Sequence, residues 1–172
     1  HQARLLPGSG IDLEHFKAEP YLHAAGAQVF LMISRLLKDK GVLEFVEAAR
    51  QVKARVPHAR FQLLGSVDAQ NRSAIDAETL QSWVDEGLIE YLGTTKDVRP
   101  YITNATCIVL PSYREGAPRT LIEAAAMGRP AITTDVPGCR SVVEADVTGY
   151  LCALRGADSL ARACGRFLAL PE

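Results

Sequence analysis

Cysteine is scarce in this chain of 172 residues: Cys107, Cys139, Cys152 and Cys164 stand singly, with no C-x-x-C pair. That argues against a disulfide framework and for a reduced, cytosolic setting, and a chain of this length can bury a core without such a staple. Long apolar runs are also missing. None approaches the roughly 18 residues that span a bilayer, and no signal-like segment opens the chain, so any work at a membrane is expected from its cytoplasmic surface. Charge of one sign is not in excess either. Nineteen Lys and Arg face twenty Asp and Glu, a formal net charge of -1, which excludes the global basic field that holds nucleic acid. Two nucleotide fingerprints are absent: no G-x-G-x-x-G follows the first apolar run, and no G-x-x-x-x-G-K-[ST] occurs anywhere. His15, His23 and His58 lack partners at ligand spacing, so no metal site is expected.

What is present is alternation. Residues 1–27 hold Pro7-Gly8-Ser9-Gly10 and Pro20 and read as an entry linker, with one domain over 28–172. Gln28 to Ile33 is an apolar run, after which Val42, Phe45, Val46, Ala49, Val52 and Val56 recur at helical spacing up to Pro57. The same strand-then-helix rhythm continues. Phe61 to Leu64, Leu88 to Tyr91, Cys107 to Leu110, Ala131 to Thr133 and Tyr150 to Leu151 read as strands. Helices are expected over Ala77 to Glu86, over Val98 to Asn104, around Glu123, from Arg140, and over Ser159 to Leu170. Short apolar strands alternating with helices imply right-handed crossovers, hence an α/β fold with a doubly wound, Rossmann-like parallel sheet of six strands. Ligands of such sheets bind beyond the carboxyl ends of the strands.

The loops expected at that edge carry polar groups. Ser34-Arg35 with Lys40-Gly41 follows the first strand, Gly65-Ser66 the second, and Gly93-Thr94-Thr95 the third. After the fourth comes Pro111-Ser112-Tyr113-Arg114-Glu115-Gly116-Ala117-Pro118-Arg119, with Pro118 placed at a plausible first helical position. Backbone N–H groups freed at that helix start suit a phosphate, and Arg35 and Lys40 are cations suited to a diphosphate, one as a fork and one as a point charge. Glu123 lies inside a helix otherwise made of Leu, Ile, Ala and Met. A carboxylate so placed needs donors, and a ribose diol supplies two. Cys139 falls in a loop that could line a sugar, with no base beside it to make it a nucleophile. Arg119 pairs with a carboxylate or meets phosphate, Arg114 reads as solvated, and Trp83 as a packing anchor.

At these residues the chain resembles the family 4 retaining glycosyltransferases, whose GT-B fold joins two Rossmann domains. Pro7-Gly8-Ser9-Gly10-Ile11-Asp12, Ser34-Arg35-Leu36 with Lys40-Gly41, Glu115 and Glu123 as an E-x7-E pair, Gly128-Arg129-Pro130, Pro137-Gly138 and Gly149-Tyr150-Leu151 occur in the family's order. The resemblance implies a carboxyl-terminal, donor-binding domain. It implies that Arg35 and Lys40 neutralise the donor diphosphate and that Glu115 stands by the donor sugar. It further implies that amides at Gly116 and Ala117 meet sugar or phosphate and that Glu123 holds the ribose. Ser34, Gly65, Thr94, Pro118 and Arg119 complete the expected donor site, with a UDP-sugar as substrate and no cofactor or metal. An amino-terminal Rossmann domain would bind the acceptor, a saccharide that can be lipid-linked, and nothing in this chain matches that domain. Two other readings stay open at this point: a module that binds nucleotide without turnover, and half of a nucleotide-sugar 2-epimerase.

Overall fold

The computed structural model describes residues 10–18, 20, 28–68 and 70–170. Its strands are β1 (Val29–Ile33), β2 (Arg60–Leu64), β3 (Glu90–Tyr91), β4 (Cys107–Leu110), β5 (Ala131–Thr134) and β6 (Gly149–Cys152). Between and after them run α1 (Val42–Lys53), α2 (Ala77–Asp85), α3 (Arg99–Asn104), α4 (Arg119–Ala126), α5 (Pro137–Arg140) and α6 (Ala157–Leu168). All strand pairs are parallel and the order across the sheet is β3-β2-β1-β4-β5-β6. That is the doubly wound order whose direction reverses between β1 and β4, so a crevice opens beyond the carboxyl ends of these two strands.

The two central strands, β1 and β4, are apolar throughout because both faces of the sheet are covered there. Phe30 and Met32 of β1 point to one side, where Phe61 and Leu63 of β2 pack with Phe45 and Ala49 of α1 and Phe167 of α6. Leu31 points to the other, into Ile108 and Leu110 of β4, Ile102 of α3 and Leu121 and Ala124 of α4. The period of two sends alternate residues to the two cores. Phe30 and Phe61 stack with centroids 4.9 Å apart, and each such buried ring contributes about 1.5–3 kcal/mol of transfer free energy. Trp83 lies in the first core, as a packing anchor should.

The structure differs from the sequence reading at several ends. α5 begins at Pro137 and finishes at Arg140, where a helix had been expected to start, because Pro137 takes the first helical position after extended Val136. α4 begins at Arg119, with Pro118 as its extended N-cap rather than its first residue. β3 keeps only Glu90–Tyr91, and α6 runs two residues earlier than expected. Of the entry segment, Phe16 is buried in the second core, so this part packs against the domain. Residues 7–9 of the expected entry motif lie outside the described residues.

Candidate functional site

The carboxyl edge is assembled by backbone contacts between loops that are distant in sequence. Leu36 N–H donates to Ser66 O at 2.9 Å, and Gly65 N–H to Gly93 O at 2.8 Å. The Tyr91 hydroxyl donates to Gly65 O at 2.9 Å. Gly65 has a positive φ of 153°, and a Cβ there would collide with the Ser34 carbonyl. Only glycine admits this approach of loop to loop. The three loops wall an open depression of about 390 Å³ lined by Ser34, Arg35, Gly65, Ser66, Thr94 and Thr120, among others. Four of the expected site residues thus share one surface.

A second group forms across the crevice. Gly41 has φ 79°, and a Cβ on it would overlap the backbone of Pro111. The 3-10 turn Lys38–Lys40 and the loop after β4 therefore sit in direct contact, tied by Tyr113 N–H donating to Asp39 O at 2.9 Å. The contact brings Lys40 Nζ to 2.8 Å from Glu115 Oε1, with side chains only 24% and 12% exposed. From the far side, Gly138 rests against the carbonyls of Glu115 and Gly116, where no Cβ could fit. Lys40 and Glu115 are brought together, whereas Arg35 turns toward Asp68 on the loop after β2, at 3.4 Å and largely exposed.

Between the two groups lies the amino terminus of α4. Its N-cap, Pro118, offers no side-chain hydrogen bond to the first-turn amides, which are left to other acceptors. Gly116 is exposed and Ala117 partly so, in the turn that leads to this end. Thr120 donates from its hydroxyl to Ile33 O at 3.2 Å, fixing the first turn of α4 to the end of β1. One turn on, Glu123 is 8% exposed, and among the described residues its carboxylate has one charged partner, Arg119, at 3.5 Å. Burial pushes its carboxyl above the ordinary glutamate value, and the neighbouring Arg119 charge opposes that shift only in part. Arg119 therefore pairs with a carboxylate, one of the two roles open to it. Cys139 does not line a loop: it is fully buried in α5, where desolvation raises its thiol.

Sequence reasoning passed over three groups. Thr120 was visible only as a hydroxyl in a first helical turn. Tyr113 and Glu44 meet through a hydrogen bond of 2.6 Å although they stand 69 positions apart in the sequence, and no local pattern announces that contact. Among the described residues, no cluster of His, Cys, Asp and Glu could hold a metal ion, and no helix is long and apolar enough to cross a membrane.

Residues 27–169 match the family model described as Glycosyl transferases group 1. A Campylobacter jejuni N,N'-diacetylbacillosaminyl-diphospho-undecaprenol alpha-1,3-N-acetylgalactosaminyltransferase is 36% identical over 132 residues, covering 77% of this chain and 33% of that protein. An Escherichia coli UDP-Gal:alpha-D-GlcNAc-diphosphoundecaprenol alpha-1,3-galactosyltransferase is 28% identical over 169 residues, covering 92% of this chain and 43% of that one. The chain thus spans less than half the length of either relative. Among solved structures, Anabaena Alr3699/HepE in complex with UDP and glucose superimposes with a TM-score of 0.77 at 20% identity, over 93% of this chain and 46% of that one. The fold is the Rossmann-like one of GT-B glycosyltransferases, and the chain belongs to the group 1 glycosyltransferase family.

Proposed function

We propose that this chain is the donor-binding, carboxyl-terminal domain of a family 4 retaining glycosyltransferase that moves a sugar from a UDP-sugar to a saccharide acceptor carried on a lipid, in cell-surface glycan synthesis. The observation that carries the reading is the joint placement at the β1–β4 crevice of three things: the depression holding Ser34, Arg35, Gly65 and Thr94, the amino end of α4, and the Lys40–Glu115 pair. The lipid-linked acceptor and the uridine nucleotide rest on the names of the two relatives, both diphospho-undecaprenol transferases and one of them named for UDP-Gal.

Glycosyl transfer expels a nucleoside diphosphate, so the group to be stabilised is the negative charge that grows on its outer phosphate. Arg35, Lys40 and the open amides of the α4 terminus supply positive potential there, already in place before the bond breaks. Lys40 meanwhile holds Glu115, and a donor diphosphate would draw the ammonium away while the sugar hydroxyls take up the freed carboxylate. Glu123, buried and poorly paired, suits a ribose diol. The acceptor would be held by an amino-terminal Rossmann domain, with the assembly working at the cytoplasmic face of the membrane.

Calorimetric titration with UDP, GDP and ADP tests this. Selective UDP binding that is lost in Glu123→Ala is expected. Absence of binding by all three nucleotides would remove the donor-site reading. Turnover measured with and without a supplied amino-terminal domain then distinguishes half an enzyme from a module that only binds.

A further inference from the structure

We propose that Tyr113 is a positioning residue, clamped between Glu44 and Arg155, that sets where Glu115 stands relative to Lys40 and so fixes the sugar-recognising end of the donor site. This rests on the donor-site reading above and adds to it two elements, α1 and the loop after β6, that touch no expected ligand.

The tyrosine is held at three points by three separate segments. Its N–H donates to Asp39 O at 2.9 Å, on the turn that carries Lys40. Its hydroxyl donates to Glu44 Oε1 at 2.6 Å, in the first turn of α1. Its ring lies under the Arg155 guanidinium, 4.7 Å from the centroid, in the loop between β6 and α6. Arg155 adopts a left-handed φ of 54°, a conformation with a steric cost for a side chain of this kind. The contact over the ring helps to offset it.

The Glu44 bond is the strongest of the three. It is charge-assisted, and the other carboxylate oxygen of Glu44 is buried with no hydrogen-bond partner. Losing the tyrosine hydroxyl would leave this half-buried carboxylate with neither bond, which disfavours any arrangement in which the loop swings away. Burial and Glu44 together push the phenol up to about 12, so the hydroxyl keeps its proton and stays a donor.

Tyr113 stands two residues before Glu115, and the intervening Arg114 is exposed. Among the described residues, Glu115 itself has one side-chain hydrogen-bond partner, Lys40. Lys40 is held by bonds in which the Tyr113 side chain takes no part: its turn is closed by Gly41 N–H to Lys38 O at 3.0 Å, braced by Ser73 on Asp39 at 3.3 Å, and met by the Tyr113 backbone N–H, which every variant below keeps. Releasing Tyr113 therefore loosens the carboxylate side of the pair more than the ammonium side. The diphosphate should still find its cation, while the sugar should lose its aligned acceptor.

The test compares UDP with a panel of UDP-hexoses on the wild-type chain, Tyr113→Phe, Glu44→Ala and Glu44→Gln, each variant also checked by thermal melting. Phe keeps the ring under Arg155, and Gln keeps an oxygen that accepts from the hydroxyl. The expected result is UDP affinity within about twofold of wild type in Tyr113→Phe and Glu44→Ala, with the best UDP-hexose weakened about tenfold, and recovery in Glu44→Gln. In a Glu115→Ala background, Tyr113→Phe should cause no further loss. Equal losses for UDP and UDP-hexose, or a loss that persists undiminished without Glu115, would make Tyr113 a structural residue and overturn the proposal. A wild-type chain that binds UDP and UDP-hexose while Tyr113→Phe does both equally well overturns it too. A wild-type chain that binds neither overturns the donor-site reading on which it stands.

Discussion

Lys40 Nζ and Glu115 Oε1 lie 2.8 Å apart across the β1–β4 crevice, an ion pair between a turn after one strand and a loop after another, 75 positions apart in the sequence. Each supplies the other with a charged partner. A cation beside the amino end of α1 is disfavoured by the helix dipole, and the carboxylate that offsets it belongs to the same candidate site.

Removing one partner should cost more than removing both. Lys40→Ala leaves Glu115 mostly buried without its cation and is expected to lower unfolding free energy by about 1–3 kcal/mol. Lys40→Ala with Glu115→Ala should recover part of that loss, as read by urea denaturation of the four members of the cycle. Strict additivity would show that the pair is not coupled in solution.

Close approach of loops predicts opposite outcomes for two neighbouring glycines. Gly138→Ala places a Cβ on the carbonyls of Glu115 and Gly116, so it should destabilise the fold by at least about 1 kcal/mol and displace the Glu115 loop. Gly116→Ala meets no atom within 4 Å and carries no positive φ, and should change stability by no more than about 0.5 kcal/mol. Thermal melting of the two variants side by side decides it. Equal effects would mean that the glycines are not distinguished by the packing described.

Much of this architecture was legible in the chain because a parallel sheet covered on both faces writes its strands as bare apolar runs. Val29–Ile33 and Cys107–Leu110 could hardly be read otherwise. Glu123 was legible for a related reason: its neighbours Leu121 and Ala124 are core residues, so a carboxylate between them had to be unusual. Helix ends were less visible. A helix is expected from Arg140, but Pro137 opens α5, and that shift carries Cys139 from a loop into the core. Contacts between loops were not visible at all. Arg35 against Asp68 and Tyr113 against Glu44 depend on where the sheet order places each strand end, and no periodicity encodes that.

The pH dependence of stability should carry the mark of Glu123. Its carboxyl is raised above the ordinary value of 4.5, so between 4.5 and the raised value the folded chain holds a proton that the unfolded chain has lost. Stability therefore falls as pH rises through that window and stays lower above it. Glu123→Gln cannot ionise, and it is expected to melt higher than wild type at pH 7 with a flatter profile just above pH 4.5. The same substitution should weaken UDP binding. A variant melting below wild type at pH 7 would mean that Arg119 stabilises the carboxylate more than burial disfavours it.

The four thiols are all buried, and burial raises each one, Cys152 to about 12. A thiol reagent at pH 8 should find none of them reactive in the native chain on the time scale on which it labels all four in denaturant. Rapid native labelling of Cys139 would return that residue to the surface of the candidate site.

Arg35 offers the cleanest separation of binding from folding. Its side chain is exposed and its contact with Asp68 is 3.4 Å long, so Arg35→Ala should leave stability within about 0.5 kcal/mol of wild type. If its guanidinium faces the donor diphosphate, the substitution must weaken UDP far more than uridine, which shares the base and ribose but carries no phosphate. Losses of about 1.5–3 kcal/mol for UDP against almost none for uridine are expected, from paired titrations at one ionic strength. The ionic strength matters because an exposed cation is screened by salt, and the UDP loss should shrink as salt is raised. Equal losses for the two ligands at unchanged stability would place Arg35 against the nucleoside and leave Lys40 and the α4 amides to hold the diphosphate alone.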